Sequence, residues 1–421
     1  MKITHPLFEE TYLKEILDNG LRVVIFYRPE FSMTTCAFGT PYGALDVDQV
    51  YEGKEYHFTP GVAHFLEHKL FESTGKDMMA LFSALGASVN AFTSYKETVY
   101  YFSKSGEDIR EPLDLLLDFV QELSISKESV EKEKGIIDQE LAMYEASPDS
   151  RLLNETFRSL YHKFPLKYDI GGDRKGIRKI TKEELETCYK INYHPSNMIL
   201  VITTPNDPEE VLELIKENQK KKGFSWKERP KRLDHQEPEG VVKKMHAFSM
   251  EVNKSKQVFA YKFRPSFRDP KEAFYTEWCL RFLLEAHFSP LNPAYETWLE
   301  EGLINDFFGF EVEFEEDYAH ILFYIENDAE DVLKRLVEDS MKEVLLTEDL
   351  LTQLKRRYIG SAFSVFDEPE GFTIGYIRDA LNGIDFLESF SILQDITLEN
   401  VLKVRDSLDF SHFSLVTMRK K

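Results

Sequence analysis

Two histidines and a glutamate stand close together in the stretch GVAHFLEHKLFE, which covers residues 61–72. His64 and His68 are four residues apart, so on a helix they share one face, about one turn from each other. At that separation two imidazoles can bind one tetrahedral zinc ion. Glu67 projects close to the same face, where it can accept a proton from an attacking water without being a ligand. The pattern predicts a zinc site with Glu67 as its general base.

The alternative is a chance occurrence of the same residues on a solvated helix. The neighbouring side chains argue against it, because Phe65, Leu66, Leu70 and Phe71 surround the motif with apolar bulk. Two histidines and a glutamate in a mostly apolar helix are costly to bury without a partner such as a metal ion. The surroundings therefore favour a metal site.

A catalytic zinc site needs a third protein ligand and an open position for water. The stretch EKEKGIIDQELAMYE (131–145) offers Glu133 and Glu140, which are seven residues apart and so lie on one face of a helix. The residues alone leave both glutamates as candidates. They also leave open that this stretch is only the charged exterior of a helix.

The elements that must position these residues alternate between strands and helices. Residues 60–72 read as a helix that starts near Pro60, and 107–146 carry long helical periodicity. The stretch 87–103 is rich in Thr, Val, Tyr and Phe and predicts a β-hairpin. The remaining predicted elements are a short helix at 76–85 and strands at 21–28, 33–39 and 198–204.

The second half of the chain repeats the order of the first. The hairpin stretch 86–103 has a counterpart in 302–324, in which Asn305 is matched to Asn90, and EASPD at 145–149 has a counterpart in FDEPE at 366–370. Such a repeat implies duplication of one unit, although a similar alternation of elements can arise by chance.

The repeat and the chain length together predict an α+β fold of two tandem homologous domains. Each is expected to be an antiparallel-rich sheet packed with helices. The segment 223–243 is rich in Lys, Pro and Gly and reads as a linker, or else as a long surface loop. The predicted domains are 1–222, which carries the metal motif, and 244–421, a degenerate duplicate.

Composition excludes several classes of function. The formal net charge of the 421 residues is −22, which argues against a nucleic-acid partner because such a partner needs a basic face. Cys36, Cys188 and Cys279 are too few and too far apart for a disulfide framework. No secretory signal and no membrane span is visible in the sequence, so a soluble cytoplasmic protein is expected.

The stretch HFLEH resembles the signature of the inverzincins, the group of pitrilysin, insulin-degrading enzyme and mitochondrial processing peptidase. The likeness extends to GASVNAFTSYKETVYY, to EKEKGIIDQELAMYEASPD and to the segment from YDIGGDRKG to MILVITT. These stretches occur in the family's order and cover most of residues 15–205. The resemblance implies a zinc-dependent endopeptidase that hydrolyses peptides or unfolded protein segments.

The resemblance also implies a role for each residue of the site. His64 and His68 match the two zinc imidazoles, Glu67 the general base and Glu140 the third ligand. Glu133 matches a carboxylate that orients the site from behind the ligands. One zinc ion per chain is expected.

The second half lacks the zinc motif. Near 280–288 its only histidine is His287, which we expect to be a packed or surface residue, and Ser361 falls at the position that corresponds to Glu140. The second domain should therefore bind no zinc. This agrees with the resemblance, since in the family one domain is catalytic and its duplicate is degenerate.

Substrate binding is where the chain departs from the family. The resemblance implies that an extended peptide pairs with the strand containing Asn90, Ala91 and Phe92. Many members also carry an Arg/Tyr pair in the second domain, where this chain has Trp298 and Asn305. The departure implies a homologous partner subunit that supplies the pair, or else a homodimer. A rival interpretation is a non-catalytic interaction or scaffold protein on the same fold.

Overall fold

The computed structural model describes residues 2–4, 11–72 and 77–421. The predicted helix 76–85 thus begins one residue outside the described part of the chain. Within that part, no helix is both long enough and apolar enough to cross a membrane.

Strands and helices are numbered here in chain order. The strands are β1 (Lys2–Thr4), β2 (Thr11–Ile16), β3 (Arg22–Tyr27), β4 (Met33–Thr40), β5 (Asp48–Tyr51), β6 (Lys54–His57), β7 (Ala87–Thr93), β8 (Thr98–Ser105), β9 (Ile199–Thr204), β10 (Lys231–Arg232), β11 (Met245–Met250), β12 (Lys256–Phe263), β13 (Gly309–Phe314), β14 (Ala319–Glu326) and β15 (Phe413–Lys420). The helices are α1 (Val62–Phe71), α2 (Met78–Ala84), α3 (Arg110–Val120), α4 (Lys127–Ala146), α5 (Pro148–Leu160), α6 (Arg174–Ile177), α7 (Lys182–Asn192), α8 (Pro208–Lys222), α9 (Pro270–Phe288), α10 (Tyr295–Glu300), α11 (Val332–Ser340), α12 (Glu348–Phe366), α13 (Pro369–Leu381), α14 (Phe386–Asp395) and α15 (Leu398–Ser407).

These elements divide into two compact units, each built from three stretches of chain. Unit 1 comprises Met1–Leu141, Tyr168–Leu233 and Ala362–Leu387. Unit 2 comprises Ala142–Lys167, Asp234–Ser361 and Glu388–Lys421.

Unit 1 contains a seven-stranded sheet in the order β1-β2-β3-β9-β4-β8-β7. The strands β3 (RVVIFY) and β9 (ILVITT) pair in parallel at its centre, and their runs of buried β-branched residues suit a sheet covered on both faces. β7 lies at the end of the order and alternates buried and exposed side chains at its start. The sheet therefore offers β7 as an edge strand on the side of the predicted site.

Helices cover both faces of this sheet. On one face Phe38 and Tyr100 of the sheet share a core with Phe65 of α1, Leu116 of α3 and Ile137 of α4. On the other face α13 packs against β4 and β9. Its contribution to that core consists of Phe372, Tyr376, Ile377 and Leu381.

Unit 2 contains a five-stranded sheet in the order β11-β15-β12-β14-β13. This order reproduces β3-β9-β4-β8-β7 of unit 1, including its one parallel pair, β11 with β15. Helix α5 packs against β15 and β12 in the way that α13 packs against β9 and β4. The predicted α+β fold of two homologous domains, each an antiparallel-rich sheet packed with helices, is confirmed.

The register of the repeat corrects one detail of the sequence comparison. Helix α5 begins at Pro148 and α13 at Pro369, which is 221 residues later (369 − 148). The hairpins close on Thr93 paired with Thr98 and on Phe314 paired with Ala319, again 221 residues later (314 − 93). The counterpart of Asn90 is therefore Glu311. Matching it to Asn305 was wrong, because strand register rather than residue identity aligns the two hairpins.

The segment 223–243 passes from unit 1 to unit 2 between Leu233 and Asp234. It is held to each unit by specific contacts, such as β10 pairing with β5 in unit 1. In unit 2, Glu237 accepts backbone N–H bonds from residues 162–164. The compact units are not the contiguous ranges 1–222 and 244–421, because α5 packs on the second sheet and α13 on the first. As a division of the sequence into homologous halves, those boundaries stay a prediction.

Candidate metal centre

Helices α1 and α4 bring three potential metal ligands together. His64, His68 and Glu140 each offer one ligand atom, and these atoms all lie within 4.8 Å of one another. The Nε2 atom of His64 is 3.7 Å from one carboxylate oxygen of Glu140, and the Nε2 atom of His68 is 3.5 Å from the other. Two imidazole nitrogens and one carboxylate oxygen form a donor set that suits a catalytic zinc ion. The residues present therefore fit the predicted metal.

Glu133 holds His68 from behind. Its carboxylate lies 3.0 Å from Nδ1 of His68, which leaves Nε2 directed toward Glu140. The other oxygen of Glu133 lies 3.4 Å from Nζ of Lys69, a buried cation. Burial lowers the pKa of His68, but the hydrogen bond and charge of Glu133 outweigh it, so the pKa is raised. Burial raises the pKa of Glu133, but His68 and Lys69 hold it below its usual value.

His64 lies in a less polar environment than His68. Burial, together with the neighbouring His68, lowers the pKa of the His64 imidazole. A neutral imidazole is the form that binds a metal. Its buried Nδ1 has no hydrogen-bond partner among the described residues, and the Cα of Gly171 passes close enough that a Cβ there would lie 3.6 Å away. A side chain at Gly171 would therefore crowd the ring.

Glu67 lies beside the cluster but is not a member of it. One of its carboxylate oxygens accepts a hydrogen bond of 2.6 Å from the Thr93 hydroxyl, at the end of β7. That bond fixes one oxygen and orients the carboxylate between α1 and the edge strand. The arrangement suits a base that acts on a water molecule between the ligands and a bound substrate.

A pair of glycines sets the start of α1 against the loop 169–173. Gly61, which precedes the helix, has φ +95°, and Gly172 has φ +81°. A Cβ on Gly172 would lie 2.2 Å from the carbonyl oxygen of Pro60, and one on Gly61 would lie 2.4 Å from that of Gly171. Glycine at both positions allows the two backbones to touch, and so fixes the height of His64 in the site.

The predicted substrate strand has the expected exposure. Asn90 is exposed at the edge of the sheet, and Ala91 and Phe92 are partly buried. The Asn90 side chain accepts a bond of 2.9 Å from the Ala91 N–H and donates one of 3.3 Å to the Tyr101 hydroxyl. These local bonds hold the strand in an extended form.

In unit 2 the corresponding place is apolar. The segment Leu283-Leu284-Glu285 of α9 aligns with Phe65-Leu66-Glu67 of α1, since both segments run buried, buried, partly exposed. This register puts Phe282 and Ala286 at the histidine positions, while the repeat puts Leu354 opposite Glu133, and all three pack in one buried cluster. Arg357 of α12 donates a 2.7 Å ion-pair bond to Glu285 of α9. Packing and an ion pair thus join in unit 2 the two helices that a metal is expected to join in unit 1.

The other residues predicted in the second half are occupied within unit 2. His287 is buried and its Nδ1 lies 3.0 Å from the Ser340 carbonyl oxygen, so it is a packed histidine. Trp298 packs its ring near Phe308, with centroids 6.4 Å apart. Asn305 donates a 2.8 Å bond to Glu326. Ser361 donates to the Tyr358 carbonyl of its own helix.

Sequence reasoning did not single out Thr93, Lys69 or Gly172. Lys69 gave a signal, because a lysine between two buried positions of an apolar helix needs a buried partner. Gly172 gave a weaker one in the doublet Gly171-Gly172. Thr93 gave none, since threonine is common in strands and its contact with Glu67 is made only by folding.

Comparison with known proteins agrees with this geometry. Residues 50–174 match the insulinase family (peptidase family M16), and residues 179–357 match the peptidase M16 inactive domain. Over 409 residues the chain is 36% identical to the uncharacterized zinc protease YmfH of Bacillus subtilis, covering 96% of this chain and 95% of that protein.

A solved structure and a more distant relative extend the comparison. The crystal structure of an M16-like peptidase from Alicyclobacillus acidocaldarius superimposes with a TM-score of 0.91 at 30% identity, covering 100% of both chains. A probable mitochondrial-processing peptidase subunit beta of Arabidopsis thaliana is 28% identical over 204 residues, which are 48% of this chain and 37% of that protein. The resemblance found in the sequence is confirmed: the chain belongs to the M16 family of zinc peptidases.

Proposed function

We propose that the protein is a zinc endopeptidase that hydrolyses peptides or unfolded protein segments. The observation that carries this proposal is the convergence of His64, His68 and Glu140 within 4.8 Å, beside a glutamate fixed by Thr93. The names of its M16 relatives as zinc proteases support the reaction class.

Each residue of the site has one part in the proposed reaction. His64, His68 and Glu140 would hold a zinc ion, which when bound supplies a Lewis acid for the carbonyl and acidifies water. Glu67 accepts the proton of the attacking water and returns it to the leaving amine. Glu133 keeps His68 in the tautomer that binds through Nε2.

The peptide is proposed to lie extended along β7, past Asn90, Ala91 and Phe92. The edge position of β7 supports this, because an edge strand has unpaired backbone groups that an added strand can use. Backbone pairing supplies affinity without requiring one sequence. The cleaved bond would then lie near Thr93, where the strand reaches Glu67.

The protein is further proposed to work with a second, homologous chain. Trp298 and Asn305 stand where many family members have an arginine and a tyrosine, and both contact other residues of unit 2. The name of the Arabidopsis relative shows that at least some similar proteins are one subunit of a peptidase. A partner could supply the missing pair.

Metal content tests the ligand assignment. The purified chain should hold about one zinc ion, as expected for a site of three protein ligands, and His68→Ala or Glu140→Ala should lose it. His57→Ala and Glu145→Ala are matched controls, because both residues are exposed and outside the cluster. Full zinc occupancy in folded His68→Ala protein would contradict the assignment.

Peptide hydrolysis tests the chemistry separately. Glu67→Gln should keep the zinc and the fold but lose activity about a hundredfold or more, because an amide cannot accept the proton. Glu72→Gln, one turn further along, is the control for an altered charge near the site. Wild-type turnover by Glu67→Gln would exclude Glu67 as the base. Stoichiometric zinc with no turnover, even with a homologous partner present, would support the scaffold interpretation instead.

A further inference from the structure

Unit 2 contains an apolar cavity of about 400 Å³ between α9, the sheet and the end of α15. That volume is within the range of small-molecule sites, roughly 300–1,000 Å³. The cavity is open on one side, and nothing in the reaction proposed for unit 1 uses it. Its apolar walls include Tyr261, Leu280, Leu284, Ile321, Phe323 and Phe410.

The homologous space in unit 1 is filled by tyrosines. Tyr100 lies 221 residues before Ile321, and its hydroxyl is 3.0 Å from that of Tyr193. Tyr189 stacks on Tyr193 with ring centroids 4.9 Å apart. Counted from the threonine that caps each helix, Tyr189 corresponds to Arg405 of α15. Unit 2 has thus replaced aromatic bulk at this place with a shorter aliphatic chain and a cation that points to the rim.

The rim of the cavity carries more negative than positive charge. Its charged lining residues are Glu338, Arg405 and Asp406. Arg405 is paired with Asp406 at 2.6 Å, whereas the nearest cation to Glu338 is Lys334, at 3.7 Å. Burial and the Glu338 carboxylate raise the pKa of the Tyr261 phenol, as expected if the two groups face the same space. Glu338 is the rim charge with the weakest pairing.

We propose that this cavity of unit 2 is a binding site for a small aromatic amine. The ring system fills the space bounded by Leu284, Ile321 and Phe323, and the ammonium group lies against the Glu338 carboxylate. The Tyr261 hydroxyl is the second polar group within reach of the ligand. Burial of the ring supplies affinity, and the carboxylate selects a cation over an anion.

Calorimetric titration of the full chain with tryptamine tests the site. Saturable binding of one tryptamine per chain is expected, with weaker binding of indole and none of indole-3-propionate, which has the opposite charge. The His68→Ala variant should bind tryptamine equally well, since its substitution lies in unit 1. Equal binding of tryptamine and indole-3-propionate, or loss of tryptamine binding in His68→Ala, would overturn the proposal.

Two variants separate the ring from the charge. Glu338→Gln keeps the volume and should weaken tryptamine about tenfold, as expected for loss of a charge-assisted bond, while indole binding is unchanged. Ile321→Phe narrows the cavity and should abolish binding of both probes, with folding checked by thermal denaturation. If Ile321→Phe does not fold, Glu338→Gln alone decides the matter. Unchanged tryptamine affinity in Glu338→Gln, or in folded Ile321→Phe, would refute the site.

Discussion

At the scale of single residues, the site depends on groups that do not touch the metal position. Thr93 fixes Glu67, and Glu133 fixes His68 while itself bonded to the buried Lys69. Each of these contacts joins different elements or successive turns of one helix. The arrangement limits the rotation of Glu67 and His68 before any substrate arrives, which lowers the cost of reaching a reactive geometry.

Replacement of Thr93 by valine should reduce kcat about ten- to a hundredfold, because a hydrogen bond to a charged group contributes about 1.5–3 kcal/mol. Valine keeps the shape and strand propensity of threonine, so zinc content and stability should change little. Thr93→Ser keeps the hydroxyl and is the matched control. Peptide hydrolysis with parallel zinc measurement checks this. A Thr93→Val enzyme with unchanged kcat would show that Glu67 needs no such support.

The sequence could predict the local part of this site but not its depth. His64, Glu67 and His68 come from one helix, and the helical period alone puts them on one side. Glu133 and Glu140 also share a face, so spacing could not say which lies nearer the histidines. That choice depends on how α4 packs against α1: Glu140 faces both Nε2 atoms and Glu133 faces Nδ1 of His68.

At the scale of elements, the position of α1 depends on the loop 169–173. The positive φ of Gly172 and its contact with Pro60 bring that loop against the start of the helix. The loop therefore acts as a spacer between the helix that carries the histidines and the rest of unit 1. A larger residue there must push α1 and the loop apart.

Gly172→Ala should destabilise unit 1 and weaken zinc binding. A left-handed conformation alone costs a non-glycine residue about 1–2 kcal/mol, and the overlap with Pro60 adds to it. Gly53→Ala is the matched control, because Gly53 has φ +74° but a Cβ at that position would meet nothing within 4 Å. Urea unfolding and zinc titration of both variants measure the difference. Equal loss of stability in the two would show that the close contact has no effect.

Element exchange between the halves was beyond the reach of sequence patterns. Helices α5 and α13 hold equivalent places in the repeat, yet α5 packs in unit 2 and α13 in unit 1. Periodicity shows that a helix has an apolar face, but it does not show which sheet that face covers. The order and type of the elements were predictable, whereas their assignment to a compact unit required the structure.

At the scale of the whole molecule, two homologous units have diverged in opposite directions. Unit 1 keeps polar ligands between α1 and α4, while unit 2 has Phe282, Ala286 and Leu354 at the corresponding places. The apolar replacement removes the cost of burying unpaired imidazoles and carboxylates, so unit 2 can fold without a metal. One catalytic site per chain follows. The second half is then free to take other tasks, such as the ligand site proposed above.

A chain with one site and no Arg/Tyr pair should gain activity from a homologous partner. Loss of one preorganised contact to a developing oxyanion typically costs about 2.7–4 kcal/mol, which is about a hundred- to a thousandfold in rate. An equimolar mixture with a homologue that carries the pair should therefore hydrolyse a peptide far faster than either chain alone. The Glu67→Gln form of this chain, mixed with the same homologue, is the control, because its mixture should stay inactive. Full turnover by the isolated chain, unchanged when the homologue is added, would show that Trp298 and Asn305 leave nothing to be supplied.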